Sequence, residues 1–89
     1  MNVYFIKCED DNGYIKVGHT KDVDKRLETL QIGSPYTLKV IAVLPCTSNE
    51  RAKDTEARIH RYFSHLRIRG EWFDSSLDIS KLNDFYINT

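Results

Sequence analysis

Glycine and proline are scarce in this chain, with four and two among 89 residues. No repeat, linker or low-complexity stretch is visible, which excludes an extended or disordered architecture. Cysteine is scarce too. Cys8 and Cys46 stand far apart, no CxxC spacing occurs, and the three histidines form no HxxxH-type pair with them. A zinc site and a disulfide framework are therefore excluded, and two reduced, partly buried thiols are expected. No apolar run approaches the roughly 20 residues of a membrane span, so no membrane partner is expected. The start, MNVYFIKCEDD, lacks the long apolar region of a signal peptide, and the expected compartment is the cytoplasm. Neither sign of charge is in excess: 13 Lys and Arg meet 13 Asp and Glu. A neutral total argues against tight non-specific nucleic-acid binding.

What is present is enough for one domain over residues 1–89. A chain this short buries only about 60–65% of its unfolded surface, so the core must pack well. The candidates for that core are Phe5, Ile6, Val17, Leu27, Leu30, Val40, Ile41, Val43, Ile59, Phe63, Trp72 and Phe73. Charge is unevenly spread. Residues 51–69 carry six basic side chains (Arg51, Lys53, Arg58, Arg61, Arg67, Arg69) against Asp54 and Glu56. Residues 70–89 carry Lys81 against Glu71, Asp74, Asp78 and Asp84. The basic stretch reads either as a phosphate-binding stripe or as a solvated helix face.

Val3–Cys8 is rich in β-branched and aromatic residues and reads as a strand. Asp10-Asp11-Asn12-Gly13 is a turn, and Tyr14–His19 is the return strand. Asp22 is the N-cap of a short helix with the stripe Val23, Leu27, Leu30, ended by Gly33. Thr37–Leu44 is the most apolar stretch and is expected to be a central, doubly covered strand. Thr47-Ser48-Asn49-Glu50 fits a T-x-x-E capping box opening a long helix that fades near His65 or Leu66. Arg69–Phe73 is a turn into an aromatic anchor. Leu77, Ile79, Leu82 and Phe85 form a last short helix or an extended tail. The order β-β-α-β-α plus tail describes a small α/β-type layer, with two helices covering a mixed or antiparallel sheet.

One carboxylate stands out. Ala52, Ile59, Phe63 and Leu66 form the apolar stripe of the long helix, and Glu56 lies among them, pointing nearly as Phe63 does. A carboxylate facing a core needs a cation, a metal or several donors. Tyr4, Lys16, His19 and Arg26 lie on elements that can converge on it. Each has a plainer reading: a half-buried strand tyrosine, an edge lysine, a strand-end histidine, a salt-bridged arginine. The plainer reading of Glu56 is a buried partner for Arg26 or Lys16. Together the five compose a site for phosphodiester hydrolysis. One Mg²⁺ or Mn²⁺ needs few protein ligands, and Glu56 could hold it. The metal and Arg26 would stabilise transition-state charge, and Tyr4 or His19 would activate water. A two-residue Asn12-Gly13 hairpin would put Tyr4 and Lys16 on opposite faces; convergence requires an odd-length loop or a bulge, and the odd loop is expected.

These residues also match a known pattern. The chain resembles the GIY-YIG endonuclease superfamily over nearly its whole length. Asn2-Val3-Tyr4 stands where that family has its first G-I-Y, and Lys16-Val17-Gly18 where it has Y-I-G. Arg26 occupies the position of its arginine and Glu56 that of its metal-binding glutamate. Lys16-Val17-Gly18-His19-Thr20, Lys25-Arg26-Leu27 and His65–Phe73, with its R-G-E-W-F run, resemble the phage-type branch, usually described as a DNA-binding domain. The chain departs from the superfamily at Asn2 and Lys16, although some restriction-enzyme members also carry lysine at the latter position. The superfamily's asparagine has no clear match, and Glu71 falls in roughly that region. The resemblance implies a three-stranded antiparallel sheet flanked by helices, with the site on its exposed concave side.

Three function classes follow. The first is a metal-dependent DNA endonuclease using Tyr4, Lys16, His19, Arg26 and Glu56, with RNA as the other conceivable substrate. The second is a nucleic-acid-binding module of the same fold with weak or no catalysis. The third is a protein-interaction domain using Trp72 and the acidic tail. The neutral charge favours weak binding alone, or a second protein that brings DNA to the domain.

Overall fold

The computed structural model describes residues 1–82. Strands β1 (Asn2–Cys8) and β2 (Ile15–Thr20) form the opening hairpin, followed by helix α1 (Val23–Ile32), strand β3 (Leu38–Pro45) and helix α2 (Asn49–Tyr62). A 3₁₀ turn at Ser64–Leu66 leads into two short strands, β4 (Arg67–Arg69) and β5 (Trp72–Phe73), and a second 3₁₀ turn spans Ile79–Leu82. The strands make one antiparallel sheet in the order β3-β1-β2-β5-β4. The class is the expected α+β layer, but the sheet has five strands and not three. β4 and β5 are too short to show periodicity. They become strands only because Gly70, at φ +55°, turns the chain back and β5 pairs with β2.

The hairpin settles which residues share a face. Asp10 Oδ1 accepts hydrogen bonds from the N–H groups of Asn12 (3.1 Å) and Gly13 (2.8 Å), and Gly13 takes a left-handed φ of +63°. Cys8 N donates to Tyr14 O at 2.9 Å, which leaves the odd five-residue loop 9–13. Tyr4 therefore opposes Gly18 and Ile6 opposes Lys16. Tyr4, Gly18 and Lys16 lie on one face; Val3, Phe5, Val17 and His19 lie on the other.

Two cores result. Under α2, Val3, Phe5, Val17, Ile59 and Phe73 are fully buried, joined by Ala52, Phe63, Leu77 and Leu82. Under α1, Tyr4, Ile6 and Leu38 are buried, with Val23, Leu27, Leu30, Val40 and Trp72 packed partly against them. Phe85 lies outside the described residues. β1, buried from Val3 to Ile6, is the strand covered on both faces.

Three local expectations are corrected. β3 is not central: it is an edge strand, and Val43 is 40% exposed. Its apolar run reports partial cover on both faces, not pairing on both edges. Val40 packs toward α1 and Ile41 and Ala42 toward α2, with a register shift beside them at Phe5/Ile6. The cap of α2 is Ser48 and not Thr47; its side chain accepts from Arg51 N at 3.1 Å. α2 also ends earlier, at Tyr62, because the chain tightens into the 3₁₀ turn. α1 is capped as expected, by Asp22 accepting from Lys25 N and by Gly33. Among the described residues no helix is long and apolar enough to cross a membrane.

Candidate active site at the free edge of β2

β5 pairs only with Ile15 and Lys16 of β2. The last contact of that ladder is Val17 N donating to Glu71 O at 2.9 Å. In a strand the N–H and C=O of one residue point to the same side, so the Val17 carbonyl is left without a ladder partner. His60, one turn after Glu56 on α2, fills the gap: its Nε2 donates to Val17 O at 3.1 Å. Its ring also meets Phe73 edge-on at 5.0 Å. With Nε2 donating, a neutral ring keeps its lone pair on Nδ1. His60 thus ends the sheet and brings α2 to its edge.

Around this edge the two faces meet. On the α1 face the Tyr4 ring lies directly over Gly18, where any Cβ would collide with the phenol. Gly18 is required by that approach. Arg26 Nε donates to the Tyr4 hydroxyl at 3.5 Å, a long bond. That contact, with a smaller contribution from Glu71, holds the Arg26 guanidinium even more firmly protonated than usual. Lys16 Nζ lies 3.1 Å from Glu71 Oε1 and 5.4 Å from the Trp72 ring centroid.

On the α2 face His19 Nδ1 sits 3.4 Å from Glu56 Oε1. Neither atom makes a hydrogen bond of good geometry, and both are shielded from solvent. The partner of Glu56 is therefore His19, and not Arg26 or Lys16 as its plainer reading held, because those cations occupy the opposite face. Burial pushes the Glu56 carboxyl above the ordinary range and the Glu71 charge pushes it further, against the opposing pull of His19 and His60. One donor atom from each of Glu56, His60 and Glu71 lies within 4.8 Å of the others.

Among the described residues, Glu56, His60 and Glu71 are the group that could hold a divalent cation. Two carboxylates and an imidazole converge, and one buried carboxylate oxygen lacks a hydrogen bond. Oxygen donors with one imidazole suit Mg²⁺ or Mn²⁺ better than a soft metal.

All five residues singled out in the sequence lie around this edge, arranged in two groups. Tyr4, Lys16 and Arg26 occupy one face and His19 and Glu56 the other, with Glu71 reaching between them. Sequence reasoning missed His60 altogether. Its signal was the i, i+4 spacing from Glu56, which places both on one side of a helix. The basic stretch 51–69 does not form one stripe. Arg51, Lys53, Arg58 and Arg61 ride on α2, whereas Arg67 and Arg69 belong to β4. Arg58 Nε lies 3.4 Å from Asp54, and Arg67 Nε donates to Gly70 O at 2.8 Å. Arg51, Lys53, Arg61 and Arg69 are exposed.

No curated protein and no solved structure matches the chain at a significant level. A family model does, and over almost the whole length. Residues 1–86 match the T5orf172 domain, and the chain belongs to that family, a phage-associated, nuclease-related domain of nucleic-acid-binding or nuclease-like character.

Proposed function

We propose that this domain is a metal-dependent DNA endonuclease of GIY-YIG type, hydrolysing phosphodiester bonds at the free edge of β2. The observation that carries the reading is the meeting of Glu56, His60 and Glu71 within 4.8 Å beside Lys16, His19 and Arg26. Residues 1–89 act in this reading as one unit, a view supported by the family match over 1–86.

Glu56, with His60 and Glu71, would hold Mg²⁺ or Mn²⁺. Such an ion, when bound, supplies positive charge to the phosphoryl oxygens. Arg26 clamps the phosphate, its guanidinium aimed by the Tyr4 hydroxyl. Lys16 adds a second cation on the same face. Tyr4 is 1% exposed, so it acts by positioning Arg26. His19, with 27% of its side chain exposed, is the group that meets water. Its Nδ1–H faces Glu56, which leaves Nε2 to take the proton from the attacking water. Arg51, Lys53, Arg58, Arg61, Arg67 and Arg69 supply contacts to the DNA backbone from α2 and β4.

A second reading, a nucleic-acid-binding module with little catalysis, is favoured by one observation. Lys16, where the resembling superfamily has tyrosine, is engaged by Glu71 and Trp72 and is only 12% exposed. Supercoiled-plasmid cleavage with Mg²⁺ or Mn²⁺ separates the two. The expected result is nicking or cutting by the wild type, reduced by about 10²–10³-fold or more in Glu56→Ala, the loss typical of removing a transition-state stabiliser. No cutting by either, with salt-sensitive DNA binding retained, establishes the binding module instead.

A further inference from the structure

A second concavity lies beside the site on the α1 face. It is an open groove of about 570 Å³ between β2, β5, β4 and the C-terminal end of α1. That is the size of a small-ligand site. Tyr14 and Trp72 give it aromatic surface, Leu30 and Leu38 give it an apolar floor, and Lys16 and Arg69 stand at its sides. Among the described residues none of its lining side chains is a carboxylate, in a chain with as many acids as bases. The groove does not stand alone. Thr29 lines both it and the cleft that holds Arg26 and the start of α1, so the two run together along one helix. Lys16 belongs to the groove and to the candidate active site at once.

We infer that this groove receives one unstacked nucleobase next to the phosphate held at Arg26 and Lys16, so that the domain engages its substrate as single-stranded or locally opened DNA. The inference rests on the nucleic-acid reading above and names the form of that substrate. An aromatic surface with no carboxylate in its lining, the exposed Arg69 at one side and Lys16, paired with Glu71, at the other, suits a base whose own phosphates must stay nearby. A duplex keeps its bases stacked and cannot fill such a groove without opening. The chemistry is sequence-tolerant, because every base presents a π-face.

Trp72 is the chain's single tryptophan, so its fluorescence reads the groove and the Lys16 ammonium beside it, and an abasic oligomer separates base stacking from phosphate contact. The probes are a 12-mer oligothymidylate, an abasic oligomer of equal length, and the matching duplex. Expected is quenching of Trp72 by oligothymidylate, with weaker and silent binding of the abasic oligomer and the duplex. Tyr14→Ala should weaken oligothymidylate binding about tenfold, the loss of one base–aromatic stack, with the circular-dichroism spectrum unchanged. Arg69→Ala, at an exposed strand position, should lower affinity and flatten its salt dependence. Equal affinity for oligothymidylate and the abasic oligomer without quenching overturns the inference. So does concentration-dependent self-association that oligothymidylate leaves unchanged while Trp72 emission shifts, which would make the groove a contact between copies. Plasmid cleavage on the same preparation keeps the two proposals apart. Cleavage without base discrimination overturns the groove only; quenching without cleavage overturns the hydrolysis only.

Discussion

The two faces of the sheet are built differently. The α2 face has the larger core: Ile59 of the helix meets Val3, Phe5, Val17 and Phe73, all fully buried. The α1 face has the smaller one. α1 has no fully buried residue, and the floor beneath it includes the Tyr4 phenol and the Lys16 ammonium. Apolar burial contributes about 25 cal/mol per Å², so the larger buried cluster under α2 contributes more than the smaller one under α1. The α1 face keeps polar groups at the sheet surface, Tyr4 and Lys16, both largely covered. The candidate site forms where β2 loses its outer neighbour and groups from the two faces come within reach of each other.

Substitutions can break this comparison. The largest expected effect is on chemistry and not on stability: Arg26→Ala should lower turnover by about 10²–10³-fold. DNA affinity should fall less, and the urea midpoint should barely move. Equal losses in turnover and binding would reduce Arg26 to a positioning contact. The next effect contrasts the faces directly. Ile59→Ala should cost about 2–5 kcal/mol in urea unfolding, as a fully buried side chain in a tight core does. Leu27→Ala on α1 should cost clearly less, because Leu27 is only partly covered. Comparable costs would show that α1 is as firmly seated as α2.

Gly18→Ala probes the contact on which the α1 face is built. The new methyl would collide with the Tyr4 ring and should destabilise by about 1–3 kcal/mol through overpacking. It should also disturb the Tyr4–Arg26 bond, so activity should fall further than stability alone explains. A variant with wild-type turnover would remove Tyr4 from the site.

The smallest expected effect is a pH slope. The Glu56 carboxyl is raised in the fold above its ordinary 4.5, so the folded chain binds that proton more tightly than the unfolded one. Its contribution to stability is fully present below 4.5 and is lost as pH rises through the raised folded value. Glu56→Gln should flatten that part of the stability–pH profile and raise the thermal midpoint near neutrality. Mg²⁺ or Mn²⁺ should act on the wild type in the same direction, by favouring the ionised carboxylate. An unchanged slope in Glu56→Gln would assign the titration to other groups.

Much of this was legible in the chain. Asp22 and Gly33 bound α1 as their capping chemistry dictates. Glu56 was conspicuous because a carboxylate interrupts an apolar stripe, a purely local signal. The odd loop could be reasoned from strand parity, whereas the Tyr4 ring over Gly18 was not read from the sequence. β4 and β5 were not legible, since three residues and two residues carry no period. The edge position of β3 was not legible either, because an apolar run reports how many faces are covered and not which edges are paired.

The sequence by itself determined the types of the five longer elements, the caps of α1 and the outlying carboxylate. Those properties are local: they depend on side-chain spacing, backbone freedom and the cost of burying charge. Only the tertiary structure decided that His19, and not Arg26, stands against Glu56, that His60 closes the end of the ladder, and that Glu71 reaches from Lys16 to the α2 face. Those outcomes depend on where β5 stops pairing with β2. Ladder length is set by β5, more than fifty residues downstream of β2, and no local pattern encodes it.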